Sequence, residues 1–273
     1  MRFGTSRWSS ELHCPSTSLR EEALRVLGWL VTGEGLPAPA ATFRLEGRGG
    51  RWQLDLDGQP WESSPDPGTL LAAFHWHVTQ TAFRSTPGHA AFHAGLVAFD
   101  ASPILLPGPS GSGKSTLTLS CCLRGATYGG DDLTWFDLSD GEAVPFPVSL
   151  ALGSRALERM GPGVPQPLLT ADTGWDVGDP RRSLLHPGDF SPGRVEPAAP
   201  VAVVIRGIDR DGPPRLDRMG AAEALHELYR HAQFLWQERA RVFEALSDLV
   251  SRVPVYMGRG PSGELAERIR RLP

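Results

Sequence analysis

One short segment, Gly108–Ser115, constrains the fold of this chain more than any other. It reads GPSGSGKS, matches the pattern G-x-x-x-x-G-K-[ST], and directly follows the apolar residues Leu105–Pro107. The next residues, TLTLSCCL, favour a helix. Glycines let successive N–H groups turn inward around an anion, and the start of a helix adds its positive end. The order strand, loop, helix therefore predicts a phosphate cradle. The alternative is a Gly/Ser-rich turn before an ordinary helix.

Lys114 is the only lysine of the chain, against 26 arginines (27 − 1). Arginine replaces lysine on a solvated surface at little cost, but not where a compact ammonium must lie beside a phosphate. We therefore expect Lys114 to contact the outer phosphates of a nucleotide, and the Ser115 hydroxyl to bind Mg²⁺. The residues predicted to bind the nucleotide are Gly108, Pro109, Ser110, Gly111, Ser112, Gly113, Lys114, Ser115 and Thr116.

The composition is that of an ordinary globular protein. Of 273 residues, 40% are hydrophobic and 21% charged, which excludes a disordered chain, a collagen and a coiled coil. The net charge of -4 gives no global attraction to nucleic acid or anionic lipid, so neither nucleic acid nor membrane is an expected partner. The N-terminal residues contain no apolar run typical of a signal peptide, so a cytoplasmic location is expected. Cys14, Cys121 and Cys122 match no zinc spacing and indicate reduced core thiols.

Hydrophobic periodicity divides the chain into two parts. Residues 1–88 contain two helical segments around an alternating hairpin, which indicates a smaller N-terminal α+β module. From residue 89 onward short apolar strands alternate with helices, which predicts an α/β domain over 89–273. The predicted elements are helices at 19–31, 69–84, 113–124 and 220–250, a hairpin at 42–47 and 51–57, and strands at 93–99, 103–106, 126–129, 133–138 and 201–208.

The predicted helix at 220–250 carries side chains of alternating charge, among them Glu227, Arg230 and His231. Such alternation is typical of a solvated helix face with ion pairs at spacings of three and four residues. No function follows from this face.

A second motif, Gly129-Gly130-Asp131-Asp132, stands at the end of a predicted strand, with Asp132 18 residues beyond the lysine (132 − 114). Two adjacent carboxylates beside a phosphate cradle divide two tasks: one lies near the metal, and the other accepts the proton of an attacking hydroxyl. The alternative is an Asp-rich turn between strands. Upstream of the lysine by 21 residues (114 − 93), His93 begins the predicted strand HAGLVAF.

Together these segments resemble a known family. The stretch His93-Ala94-Gly95-Leu96-Val97, the cradle, Arg124-Gly125 and the Gly-Asp-Asp resemble the catalytic half of HPr kinase/phosphorylase and of the HPr-kinase-related proteins, which carry similar segments at the same distances. The close resemblance covers about 93–135, with weaker similarity across 201–220. It implies an α/β P-loop catalytic domain of the HPr-kinase type, with ATP and Mg²⁺ as its cofactors.

The resemblance also implies roles for single residues. His93 matches the active-site histidine of the family, Lys114 its P-loop lysine, Ser115 its metal-binding serine, and Asp132 the aspartate that takes the proton of the acceptor. For the metal shell, two readings stay open: either Asp131 completes the Mg²⁺ ligands, or the ligand set differs from that of the family.

A further segment, Leu216–Gly220, is similar to the Tyr-Asp-Arg-Leu-Gly segment of the family, whose arginine assists phosphoryl transfer. Arg218 is thus a candidate catalytic residue that stabilises charge. A surface or helix-entry role is as good an expectation in a chain with so many arginines.

The chain also departs from the family. No counterpart of its Glu-Val-Arg-Gly signature is found between 145 and 200, and Glu158 lies at about the right distance in an unrelated context. This absence argues against a phosphorylase reaction and against HPr as the substrate. The chain is more similar to divergent HPr-kinase-like kinases, some of which modify biosynthetic peptides.

The expected function is therefore transfer of the γ-phosphoryl group of ATP to a hydroxyl, serine above all, of a peptide or small protein. Two alternatives stay open: a kinase of a small-molecule hydroxyl, and a nucleotide-binding regulatory module without catalysis. The N-terminal module is expected to hold the acceptor or a second copy of the chain in a homo-oligomer.

Overall fold

The computed structural model describes residues 1–84, 87–172, 181–209, 211–233 and 238–272. Within these residues the chain is a mixed α/β protein with seven α-helices and four β-sheets. None of the described helices is both long and apolar enough to span a membrane. The chain divides into two compact units: unit 1 comprises Met1–Thr86 and Val148–Asp189, and unit 2 comprises Pro87–Pro147 and Phe190–Pro273.

The strands, in chain order, are β1 (Arg2–Gly4), β2 (Ser9–His13), β3 (Val31–Thr32), β4 (Thr42–Arg48), β5 (Arg51–Leu56), β6 (Gln59–Ser64), β7 (His89–Phe92), β8 (Ala94–Phe99), β9 (Ser102–Pro107), β10 (Thr127–Gly130), β11 (Thr134–Asp137), β12 (Ala143–Pro145), β13 (Leu150–Gly153), β14 (Leu169–Asp172), β15 (Arg181–Leu185), β16 (Ala202–Arg206), β17 (Arg215–Arg218), β18 (Ala232–Gln233) and β19 (Val255–Arg259). The α-helices are α1 (Thr17–Val26), α2 (Pro67–Arg84), α3 (Lys114–Cys122), α4 (Ser154–Met160), α5 (Ala221–His231), α6 (Arg239–Arg252) and α7 (Ser262–Ile269).

Unit 1 contains a six-stranded sheet in the order β3-β1-β2-β4-β5-β6. The predicted hairpin is confirmed as β4 and β5, which meet at Gly49 and Gly50 with left-handed φ angles of 56° and 77°. Phe43 of β4 packs edge-to-face on Phe74 of α2, with 5.3 Å between the ring centroids. The predicted helix at 69–84, observed as α2, therefore covers a face of this sheet.

The predicted helix at 19–31 is shorter in the structure. α1 begins at Thr17, after Ser16, whose side chain accepts a hydrogen bond from the Leu19 N–H at 3.3 Å. The helix ends at Val26 because Gly28 turns the chain away with a φ of 62°.

Residues 148–189 belong to unit 1, although the predicted limits, 1–88 and 89–273, group them with the second domain. Their strands form a small antiparallel sheet in the order β13-β15-β14, and β14 contacts α2. Ser149 also donates from its N–H to the Val26 carbonyl at 3.3 Å and from its hydroxyl to the Arg25 carbonyl at 3.1 Å, while its own carbonyl accepts from His75 Nε2 at 2.7 Å. These bonds join residues far apart in the chain, which a hydropathy pattern does not report.

Unit 2 is built on a six-stranded sheet in the order β10-β8-β9-β16-β19-β17, in which β9, β16 and β19 run parallel. On one face, Leu96 and Val203 pack with Leu228 of α5 and Leu246 of α6 in one buried cluster. On the other face α3 contacts α7, and α3 also contacts β8 and β9. Helices thus cover both faces of the sheet, as expected of an α/β domain.

A second sheet of unit 2 is antiparallel, in the order β12-β11-β7-β18. The chain passes from this sheet to the six-stranded one between β7 and β8. The predicted strand at 93–99 therefore begins at Ala94 in the structure, and His93 lies at the junction of the two sheets.

The prediction of one helix over 220–250 is wrong. α5 ends at His231, the next two residues extend as β18, and α6 begins at Arg239. The chain leaves the helix because Ala232 and Gln233 pair with Phe92 and Ala91 of β7. The two helices then pack against each other.

The contact between β8 and α3 depends on Gly95. A methyl group added there would lie 2.2 Å from Thr118 Oγ1, an atom that is buried and has no hydrogen-bond partner in the part of the chain that the structure describes. We expect Gly95→Ala to lower the free energy of unfolding by about 1–3 kcal/mol through overpacking. Thr118→Ala alone should be nearly neutral, because it removes an unsatisfied hydroxyl.

The double variant Gly95→Ala/Thr118→Ala should regain most of the lost stability, since the remaining neighbours of the new methyl group lie at 3.5 Å. Urea unfolding of the four proteins measures this coupling. Additive losses in the double variant would contradict the packing described for this contact.

Candidate active site

The predicted phosphate cradle connects β9 to α3 in unit 2. Gly108 is buried beside β16, and a side chain there would bring its Cβ within 2.7 Å of the Arg206 carbonyl oxygen. Gly111 and Gly113 adopt left-handed φ angles of 74° and 94°, which glycine adopts without strain. Gly113 is also the N-cap of α3 and has no side chain to satisfy the first N–H groups of the helix. These N–H groups therefore remain donors for an anion.

Lys114 is the first residue of α3, and it is only 5% exposed. Its Nζ donates to the Pro109 carbonyl at 3.2 Å, so the ammonium lies under the loop. Burial lowers the pKa of Lys114 to about 8, although the negative charges of Asp132 and Asp131 oppose this shift. The cradle thus contains a desolvated cation. A bound phosphate would offset the free-energy cost of burying this charge.

Ser112 supplies a second sign that the cradle fits a ligand. Its side chain is fully buried, and among the described residues its Oγ finds no hydrogen-bond partner. Buried polar atoms are normally paired, so an orphan in this loop indicates a site for an acceptor oxygen. Three predicted nucleotide-binding residues remain. Ser110 lies in the same loop and is exposed, and Ser115 and Thr116 lie in the first turn of α3.

The motif Gly129–Asp132 lies at a bulge in β10, where the register with β8 shifts between Tyr128 and Gly130. Side chains are excluded at both glycines: a Cβ on Gly129 would lie 2.8 Å from Leu96, and one on Gly130 3.0 Å from the Leu133 and Phe146 carbonyls. Bulges re-aim the residues beside them. Here the bulge precedes the two aspartates, whose charges both act on Lys114.

The two aspartates differ in environment. Asp131 is 1% exposed, and its carboxylate accepts the Tyr128 hydroxyl at 3.2 Å. Burial and the charge of Asp131 raise the pKa of Tyr128 well above its ordinary value, so this hydroxyl stays a donor. The Asp132 side chain is 31% exposed and therefore accessible to a substrate.

His93 and Asp132 form a close pair. His93 Nδ1 lies 2.8 Å from Asp132 Oδ1 and 3.0 Å from the backbone carbonyl oxygen of the same residue. The His93 side chain is 34% exposed. Three of the four residues predicted to be catalytic, His93, Lys114 and Asp132, are thus gathered in one region of unit 2.

The fourth, Arg218, lies elsewhere. It is exposed at the end of β17, the edge strand, where it pairs with Tyr256 of β19. Since β16 and β19 intervene between β17 and β9, the strand spacing puts its backbone about 14 Å across the sheet from the strand that carries the cradle. The structure does not bring Arg218 together with the other three residues.

The predicted Mg²⁺ ligands are Ser115, at the start of α3, and Asp131. Among the described residues, no group of three or more His, Cys, Asp and Glu side chains is arranged to hold a metal ion. A hydroxyl and one carboxylate nevertheless fit Mg²⁺, which keeps several waters and takes further oxygens from phosphates. The residues present are therefore compatible with a metal that binds together with a nucleotide.

His231 is a site residue that the sequence did not reveal. It ends α5 directly before β18, whose Ala232 pairs with Phe92, the neighbour of His93 in the chain. Burial, together with the positive charges of Lys114, Arg230 and His93, lowers the pKa of His231, while Glu227, 3.9 Å away, opposes the shift. No motif marks this histidine, because its position follows from pairing between distant segments.

Arg206 was also missed. It ends β16, is fully buried, and its guanidinium donates to the carbonyls of Gly258 at 3.2 Å and Gly260 at 2.7 Å. It thereby holds the ends of two parallel strands together directly beside Gly108. A sequence signal existed, since an arginine closes the apolar run VAVVI, but such an arginine usually marks only the end of a strand.

Comparison with known proteins adds no assignment: no protein-family model matches this chain, and no curated protein matches it.

The pKa of Lys114 has a consequence for stability. Lysine ordinarily titrates near 10.5, so between about pH 8 and 10.5 the unfolded chain binds more protons at this position than the folded chain. The free energy of unfolding should therefore rise with pH across this window, and the cost of the buried charge should be present in full below pH 8. We expect Lys114→Met to raise the free energy of unfolding at pH 7 by up to about 3 kcal/mol.

Urea unfolding of the wild type and of Lys114→Met between pH 7 and pH 10 tests this. The difference between their free energies of unfolding separates the effect of Lys114 from that of other titrating groups. The advantage of the methionine variant should shrink as the pH rises. A methionine variant that is less stable than the wild type at pH 7 would show that the lysine stabilises the fold.

Proposed function

We propose that this protein is an ATP-dependent kinase with a P-loop catalytic domain of the HPr-kinase type in unit 2. The observation that carries the proposal is the His93–Asp132 pair, 2.8 Å between Nδ1 and Oδ1, in the region of the buried Lys114. A module that only binds nucleotide needs a cradle but no accessible imidazole–carboxylate pair. Transfer to a hydroxyl also needs a base within reach of the acceptor, and this pair would supply one.

The cradle binds the triphosphate through the N–H groups around Gly111 and Gly113, and the Ser112 hydroxyl supplies one further donor. Ser115 and Asp131 are the residues that would hold Mg²⁺. Bound Mg²⁺–ATP supplies the phosphoryl group to be transferred and neutralises part of its negative charge.

Lys114 acts on the charge of the transferring group. Its ammonium is already desolvated, so no further solvent reorganisation is needed when charge develops nearby. Electrostatic stabilisation of this kind accounts for much of phosphoryl-transfer catalysis, because the protein contributes little covalent chemistry. The His93–Asp132 pair removes the proton of the acceptor hydroxyl, and the resemblance assigns that proton to Asp132.

For the acceptor, we propose a serine hydroxyl of a peptide or small protein. The supporting argument is the similarity to divergent HPr-kinase-like kinases, together with the missing Glu-Val-Arg-Gly signature, which argues against HPr. A small-molecule kinase would use the same residues of unit 2 and differ in the pocket for its acceptor.

The test compares Asp132→Asn with the control Asp140→Asn. Asp140 is an exposed aspartate of the same unit, and its Oδ1 accepts a hydrogen bond from the Glu142 N–H. The amide oxygen of asparagine can accept the same bond, so the control should leave the turn intact. Each protein is incubated with Mg²⁺, γ-labelled ATP and a mixture of peptides that carry serine in random flanking sequence. We expect Asp132→Asn to lower transfer about 10²–10⁴-fold with ATP affinity nearly unchanged, because the acid–base pair is lost. Asp140→Asn should match the wild type.

Other outcomes separate the alternatives. Full transfer by Asp132→Asn would remove that residue from the mechanism. ATP binding without transfer to any peptide, but with ATP consumption that depends on added small hydroxyl compounds, would favour the small-molecule kinase. Binding without any turnover would favour the regulatory module.

A further inference from the structure

We propose that the edge strand β17 and the helix α7 of unit 2 form a docking site for an extended, acidic segment of the acceptor peptide, which adds to β17 as a further strand. The docking site itself is argued from the geometry and charge of unit 2. That its partner is the phosphoryl acceptor rests on the proposed function.

The strand β17 has an open edge. Among the described strands it pairs only with β19. The Met219 N–H, one position beyond β17, donates to the Val255 carbonyl at 2.9 Å. Opposite residues of an antiparallel pair alternate between hydrogen-bonded and non-hydrogen-bonded pairs, so Leu216 and Arg218 form pairs of the second kind. Their N–H and C=O groups therefore point away from β19, where an extended peptide can pair with them.

A cavity lies beside this edge. Its volume is about 460 Å³, and it is lined by Leu216, Glu264, Glu267, Arg268 and Arg271. Side chains of a strand alternate between its two faces, so the side chain two positions beyond Leu216, that of Arg218, lies on the face of the cavity. A strand added to β17 would likewise direct every second side chain to this face.

The surface around the cavity is basic. The strand β17, the last residue of β19 and residues 262–272 contain six arginines and three carboxylates, although the net charge of the whole chain is -4. Two of these carboxylates are already paired. Asp217 lies 2.8 Å from Arg259, and Glu267 lies 3.4 Å from Arg271.

Four exposed arginines of this surface form no ion pair within the part of the chain that the structure describes: Arg215, Arg218, Arg268 and Arg270. Only one carboxylate of the surface, Glu264, is unpaired by the same measure. Guanidinium groups bind carboxylates through charge-assisted hydrogen bonds. The expected partner is therefore an extended segment rich in Asp and Glu.

Charge also selects among the possible occupants of this edge. Pairing between the β17 strands of two copies would bring the arginines of one copy beside those of the other, and like charges destabilise a strand pair. A nucleic acid would use the arginines but not the N–H and C=O groups of the edge. An acidic peptide uses both.

The docking site lies within reach of the cradle. Arg215 pairs with Arg259, the last residue of β19, so β17 begins at the edge of the sheet where the parallel strands end and where the cradle follows β9. The distance across the sheet of about 14 Å corresponds to about four extended residues. A serine more than about four residues from the acidic segment can therefore react while that segment stays bound.

The first readout is binding without ATP. A fluorescent peptide of alternating glutamate and threonine is titrated with the full chain, and fluorescence anisotropy gives its affinity. We expect a matched peptide with glutamine in place of glutamate to bind at least about tenfold more weakly, because the charge-assisted contacts are lost.

Two further peptides test the strand pairing. One carries N-methyl groups on every glutamate, and the other on every threonine. Only every second N–H of an added strand faces β17, so one of these peptides should lose binding and the other should keep it. Equal affinities of the two methylated peptides would overturn the addition of a strand.

The matched protein variants are Arg218→Gln and Arg252→Gln. Each removes one exposed positive charge from unit 2, but Arg252 lies on α6, where it pairs with Asp248. We expect Arg218→Gln to weaken binding of the acidic peptide about three- to tenfold, and Arg252→Gln to leave it unchanged. Wild-type affinity in Arg218→Gln would overturn the docking site. So would equally tight binding of a single-stranded oligonucleotide of the same charge.

The second readout asks whether the partner is the acceptor. Serine peptides carry the acidic segment, or its glutamine counterpart, behind a linker of about eight glycines, and transfer from γ-labelled ATP is measured. The acidic segment should lower KM about tenfold with kcat nearly unchanged, because docking adds binding energy away from the reacting groups. Arg218→Gln should lose most of this advantage.

The outcomes separate the two proposals. Transfer with equal KM for both peptides would overturn the docking of the acceptor and leave the kinase proposal standing. Binding of the acidic peptide at β17 without transfer to any hydroxyl would contradict the kinase proposal, and the docking site would remain with a partner other than an acceptor.

Discussion

The burial of one ammonium group organises the candidate site of unit 2. Lys114 is almost completely removed from water, and its ordinary hydration is replaced by the Pro109 carbonyl and by the charges of Asp131 and Asp132. An isolated cation is costly to bury, and here the carbonyl and the two carboxylates offset part of that cost. The glycines around it serve the same end, because they let the backbone of the cradle approach β16 and the aspartates approach from β10.

The candidate site also depends on the place where the two sheets of unit 2 meet. The six-stranded sheet carries the cradle, and the four-stranded sheet ends beside it at the junction before β8. His93 lies at this junction, Asp132 follows the bulge of β10, and His231 follows from the pairing of β18 with β7. His93 lies between β7 and β8, Asp132 lies between β10 and β11, and His231 ends α5 directly before β18. Rigid elements thus hold the imidazole–carboxylate pair, as the proposed proton transfer would require.

The parts of the site that lie close together in the chain could be predicted, and the parts that depend on distant pairing could not. The cradle is a contiguous motif whose residue types have direct physical reasons, and β9, β10 and α3 occupy the predicted places. His231 shows the opposite case: its charged neighbours resemble a solvated helix face, and only the pairing of Ala232 with Phe92 sets it beside His93. The position of residues 148–189 in unit 1 likewise depends on bonds of Ser149 to Arg25 and Val26.

The most direct test of this account is a calorimetric titration of Mg²⁺–ATP into the wild type and into Lys114→Ala. The account predicts one nucleotide bound per chain by the wild type, and an affinity at least about tenfold weaker in the variant, because a charge-assisted contact is lost. Equal affinity of the two proteins, or no binding of the triphosphate by the wild type, would contradict the cradle and the function proposed from it.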